Sequence, residues 1–151
     1  MKHIYLFVFF IYSSFLIGQT GMLVPPENIR EAFEKQYPKK KPIWDMEYSA
    51  KGDDVIFEAK FKETAKTTAY ARFDKNGNFK AYKVQIALIK LPKKAQAYLK
   101  KNYGKKSFKT FFSVVNDLNV KTYEAGVVKS AKFYNIIFDQ DGEFYKIIQI
   151  Q

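Results

Sequence analysis

The segment Phe73–Phe79 reads "FDKNGNF", and Phe138–Phe144 reads "FDQDGEF". An Asp-x-Asn/Asp-Gly string either opens a calcium loop or makes a tight turn. An EF-hand loop needs D-x-[DN]-x-[DN]-G and a glutamate at its twelfth position. Here the glycine follows the second polar residue at once, as Asp74, Asn76, Gly77 and as Asp139, Asp141, Gly142, and no glutamate follows at the required distance. A hairpin with glycine in the left-handed region accounts for both stretches. No metal is expected.

The likeness extends outward from these turns. "PENIREAFEKQY" (Pro26–Tyr37) matches "PKKAQAYLKKNY" (Pro92–Tyr103), with both prolines and both tyrosines 66 residues apart. The same offset places "FEAKF" (Phe57–Phe61) on "YEAGV" (Tyr123–Val127), and a one-residue gap brings the Asp turns together at 65. Three collinear blocks argue for a tandem duplication.

Each half opens with helical spacing. Ile29, Ala32, Phe33, Gln36 and Tyr37 recur at i, i+3, i+4, i+7, i+8, as do Ala95, Tyr98, Leu99, Asn102 and Tyr103. Pro26 and Pro92 suit a first helical turn. Pro38 stops the first helix, and Gly104 is expected to end the second in a left-handed cap. Four alternating runs follow in each half: 43–48, 55–61, 67–73 and 79–86, then 108–115, 120–128, 131–138 and 144–150. Short polar turns between them mean antiparallel pairing. The expected fold is α+β. Two copies of a helix plus a four-stranded meander, 24–89 and 90–151, join into one compact domain with a continuous eight-stranded sheet. Both helices lie on one face and the other is open, as antiparallel sheets tolerate.

Alternation assigns side chains to the open face. Tyr70 and Arg72 fall there from the first half; Phe111, Val115, Glu124, Phe133, Asn135 and Ile148 fall there from the second. Phe112 and Val114 are assigned to the helix side by the repeat alignment. Aromatic and aliphatic residues on an exposed sheet exceed the apolar patch a monomer normally shows. Tyr70, Arg72, Phe111, Phe133 and Ile148 are therefore the candidate binding residues, unless loops or a second copy cover the face.

The ends and composition limit the chemistry. "MKHIYLFVFFIYSSFLIG" has the layout of a secretory signal peptide, residues 1–18, with cleavage between 18 and 21. Its apolar run is too short for a bilayer-spanning helix. No cysteine follows for a lipid anchor, and no membrane span remains after cleavage. The only histidine, His3, leaves with it, and the chain has no cysteine. Histidine-based acid–base catalysis, Cys-His nucleophiles and the usual zinc sets are then excluded. No carboxylate pair stands out, so an enzyme is not expected, nor is a cofactor.

The net charge is +11, nearly all from lysine. Such a field attracts anions, but readers of nucleic acid lean on arginine, so nucleic acid is not expected. Lys39, Lys40 and Lys41, with Lys100, Lys101, Lys105 and Lys106, are candidates for docking to an anionic envelope surface. A solvated lysine face is the default reading of such clusters.

The blocks "VPPENIREAFEKQYP", "IWDMEY", "VIFEAKF" and "AYARFDKNGNF", with a second "LP" helix, resemble the PepSY-like, β-lactamase-inhibitor-like exported proteins of Bacteroidetes-type bacteria. The resemblance covers about Val24 to Gln151. It implies a duplicated helix-plus-four-strand unit, a periplasmic or secreted location, and an open sheet face that grips a protein or peptide partner. The disulfides and inhibitory loop residues of the known inhibitors have no counterpart in this sequence, so β-lactamase inhibition is not implied. The second expectation is a basic envelope protein that binds anionic lipid or glycan through its lysines.

Overall fold

The computed structural model describes residues 23–48 and 55–150. The expected signal peptide and its cleavage site lie outside the described residues. The elements are α1 (Glu27–Gln36), β1 (Ile43–Tyr48), β2 (Val55–Lys62), β3 (Thr68–Asp74) and β4 (Phe79–Gln85), then α2 (Lys93–Asn102), β5 (Phe108–Asn116), β6 (Lys121–Lys129), β7 (Lys132–Phe138) and β8 (Phe144–Ile150). Short 3-10 turns, Leu88–Lys90 and Lys105–Ser107, flank α2. The eight strands form one antiparallel sheet in sequence order, each bonded to the next.

Both helices lie on one face. Ile29 and Phe33 of α1 are buried against Phe57, Ala59, Phe61, Ala69, Ala71 and Phe73. Ala95 and Leu99 of α2 are buried against Ala125, Val127, Ile136 and Phe138. Val84, Ser113 and Tyr123 are cross-strand neighbours. Val84 packs with the first cluster and Tyr123 with the second, so the clusters share a face. Alanine at the strand positions nearest the helices lets them approach the sheet. Phe33 fills the space beneath α1, with ring centroids 5.2 Å from Tyr37, 5.5 Å from Trp44 and 5.3 Å from Phe61. Such contacts add to the gain from burial. Gln36 and Asn102, placed on the buried faces by periodicity, are exposed at the last turns.

The helix ends differ in detail from expectation. Pro26 and Pro92 occupy the N-cap, with ψ near 150°. Gly104 has φ −74°, so it does not form the expected left-handed cap; Tyr103, at φ −140°, already ends the helix.

The two Asp turns share one geometry. Asp74 Oδ1 accepts from the backbone N–H groups of Asn76 and Asn78, and Asp139 Oδ1 from those of Asp141 and Glu143. Gly77 and Gly142 have φ of 82° and 84°. Each turn docks against the start of its own half's helix. A Cβ on Gly77 would lie 3.0 Å from the Asn28 carbonyl oxygen, and one on Gly142 would lie 2.6 Å from Pro92 Cβ. Each hairpin also carries one extra residue, Lys80 or Tyr145, where the register shifts.

The two glycine environments predict opposite outcomes. Gly142→Ala should lower the unfolding free energy by about 2 kcal/mol or more, from the left-handed backbone and the clash at α2. Gly104→Ala should leave it unchanged or raise it by about 0.5 kcal/mol, because nothing lies within 4 Å of its added Cβ. Urea denaturation of both variants measures the contrast.

Candidate functional site: the open sheet face

Strand pairing builds a charged ladder on the face away from the helices. Glu58 and Arg72 are direct neighbours on β2 and β3. Arg72 Nε donates to Glu58 Oε2 at 2.6 Å, and Nη2 to Glu47 Oε1 at 3.3 Å, so one guanidinium ties β1, β2 and β3 together. Lys83 on β4 reaches across β5 to Glu124 on β6, with Nζ 2.7 Å from Oε2. Asn135 on β7 donates to the same oxygen at 3.0 Å. The Lys83 ammonium lies 4.3 Å from the Phe112 ring centroid, and Tyr70 meets Phe112 edge-on at 5.7 Å. Aromatic faces thus wall the lysine on its way to the carboxylate.

Glu124 is buried. Burial raises its pKa, but the Lys83 charge and hydrogen bond, the Asn135 amide and Arg72 together hold it below its ordinary value. For Arg72, burial is likewise outweighed, by Glu58 and Glu47, and its pKa is raised.

An apolar flank adjoins the ladder. Phe133, Ile148 and Ile150 are 54%, 43% and 50% exposed. Between flank and ladder lies a depression of about 400 Å³, lined by Glu47, Arg72, Lys83 and Glu124 on one side and by Lys146, Ile148 and Ile150 on the other. Every residue of the edge strand β8 is exposed.

The structure gathers Tyr70, Arg72, Phe133 and Ile148 on this face, as the alternation predicts. Phe111 is a correction: it pairs with Ala125 and packs in the α2 core. A bulge causes this. Phe108 pairs with Val127 and Thr110 with Gly126, so Lys109 is an extra residue that reverses the alternation beyond it. Phe112 and Val114 therefore face the open side and Val115 the helix side, the opposite of the assignment by repeat alignment. Lys83 and Lys146 were also missed. Lys83 was legible, since it alternates with the core residues Tyr82 and Val84.

The lysine candidates divide. Lys40 Nζ donates to the carbonyls of Lys62 and Glu63, at 3.0 and 2.8 Å, and lies 3.4 Å from the Glu63 carboxylate. It fastens a loop and does not present its charge outward. Lys39 and Lys41 flank it, Lys100 and Lys101 lie in the last turn of α2, and Lys105 and Lys106 form the following 3-10 turn.

Folding brings Glu47 and Glu124 to one depression, a pair the linear sequence did not reveal. General acid catalysis needs a carboxyl kept neutral near the working pH. Glu124 is biased the other way, towards the carboxylate. Among the described residues, no group of three or more His, Cys, Asp or Glu is placed to hold a metal, and no helix is long and apolar enough to cross a membrane.

No protein-family model matches the chain, and no curated protein does. Solved structures do. A protein from Bacteroides eggerthii, described provisionally as periplasmic, superposes with TM-score 0.65 at 14% identity, over 85% of this chain and 91% of its own. A DUF2874 family protein from Bacteroides ovatus gives 0.62 at 17% identity, over 84% and 89%. A BLIP-like protein from Bacteroides fragilis gives 0.57 at 16% identity, over 87% and 90%. At these identities the likeness establishes the fold. That fold occurs in the group of Bacteroides proteins to which the sequence motifs pointed.

The Lys83–Glu124 pair generates a test. Glu124→Gln leaves the Lys83 ammonium enclosed without its counter-charge and should cost about 3 kcal/mol. The folded pKa of Glu124 is depressed, so its contribution is complete above the ordinary value of 4.5 and is lost as the pH falls through the lower folded value. The gap in unfolding free energy between wild type and variant should therefore narrow on acidification below 4.5. Denaturation curves across that window measure it.

Proposed function

We propose that this is an exported, non-enzymatic protein that binds a protein or peptide partner on the open sheet face. The observation that carries the reading is the 400 Å³ depression, with a self-neutralised polar floor and an exposed apolar flank. Aromatic and aliphatic side chains beside internally paired charges are the mixture interfaces favour. Partner contacts would centre on Phe133, Ile148 and Ile150, with Tyr70, Arg72 and Lys146 at the margin. The BLIP-like description of one structural neighbour supports an inhibitor-like mode, and the periplasmic description of another supports that location. Its leader-like first 18 residues agree with export. We also read the chain as two copies of one unit, supported by the matching turns, hairpin bulges and helix contacts.

Pulldown from a periplasmic extract tests the binding reading. A Phe133→Ser/Ile148→Ser variant should keep its fold, since both side chains are exposed, and lose the specifically captured partner. Recovery of the same partners in the same amounts by wild type and variant would overturn it.

A further inference from the structure

In an antiparallel meander, odd strands start and even strands finish at the same end of the sheet. Four of the segments at that end are 37–42, 62–67, 100–109 and 129–132, and the connection 86–92 also starts there. Together the four hold twelve lysines and one acid, Glu63, an excess of eleven that equals the formal net charge of the whole chain. At the opposite end, five acids of the turns, Asp74, Asp117, Asp139, Asp141 and Glu143, stand beside Lys75, Lys80, Lys93, Lys94 and Lys121, so that end has little net charge. The sequence holds two lysine clusters, Lys39–Lys41 and Lys100–Lys106. The topology puts both on one end and adds the β2–β3 and β6–β7 turns to them.

We propose that this basic end is a docking surface for an anionic lipid membrane. Eight strands at about 4.8 Å spacing make the end roughly 34 Å wide. Its segments are tied to one another: Lys40 bonds the β2–β3 turn, and Lys129 lies over the Tyr103 ring beyond α2. Lysines spread over a broad end suit a diffuse field of headgroups, whereas bidentate recognition uses arginine. Ile43, 64% exposed, stands at the same end. It gains by entering an acyl boundary and has no such gain on a glycan. Leu23 and Val24 border a depression with Pro42 and Ile43 at this end. Bound in this way, the strands stand end-on on the membrane, and the ladder of Arg72, Lys83 and Glu124 lies further along the strands.

Cosedimentation with vesicles tests this, using phosphatidylcholine containing about 30% phosphatidylglycerol against phosphatidylcholine alone. Lys101→Gln/Lys105→Gln/Lys106→Gln removes three charges from the basic end. Lys75→Gln/Lys93→Gln/Lys121→Gln removes three from the opposite end; all six side chains are exposed. The first variant should lose about tenfold or more of the partition, the second about twofold or less, and salt should weaken wild-type binding. Equal loss in the two variants, or equal binding to neutral vesicles, overturns the proposal. So does binding to a soluble anionic polysaccharide with none to the vesicles.

Discussion

One-sided cover is the constraint on which the rest of this structure depends. Two ten-residue helices pack against one face of an eight-stranded sheet, and the pleat sends every second side chain to the other. The helix side can be alanine, phenylalanine and isoleucine. The far side must coexist with water at its margins and with its own neighbours at its centre. Arg72 with Glu47 and Glu58, and Lys83 with Glu124 and Asn135, meet that condition by pairing across strands. Each group spans more than two strands, so each fixes register as well as charge. Buried pairs of this kind contribute little net stability. Their consequence is a polar floor whose hydrogen bonds are satisfied before any partner arrives.

Much of this was legible in the sequence, for physical reasons. The Asp turns are local: Asp74 and Asp139 bond the N–H groups two and four residues on, and glycine supplies the positive φ. Strand limits followed from alternation and agreed to within a residue or two, because the antiparallel sheet has one dry and one wet face. The error at Phe111 had a different origin. A bulge is set by pairing with β6 across the sheet, and nothing in "FKTFFSVV" distinguishes Lys109 as the extra residue. An apolar run with two adjacent phenylalanines fits either parity. Lys40 could not be placed from sequence either, since its partners are carbonyls 22 and 23 residues away.

The same alternation separates the two surfaces on which function is argued. The open face pairs the charges of Arg72, Lys83 and Glu124 at its centre and carries exposed apolar residues on β7 and β8. One end of the strands carries the lysine clusters. A patch of Phe133, Ile148 and Ile150 favours contact by burial, which salt leaves largely intact, whereas the basic end acts through a screened field. The two modes draw on different residues, although Phe133 and Ile150 lie at the sheet end that carries the lysines.

The central claim is that the second face is open in the protein alone. Methyl-labelled NMR with a soluble paramagnetic agent tests it most directly. The account predicts strong relaxation of the Ile148 and Ile150 methyls and little for Ile136 and Ile29, which are buried between the helices and the sheet. Protection of Ile148 and Ile150 equal to that of Ile136 would mean that the face is covered, and would contradict it.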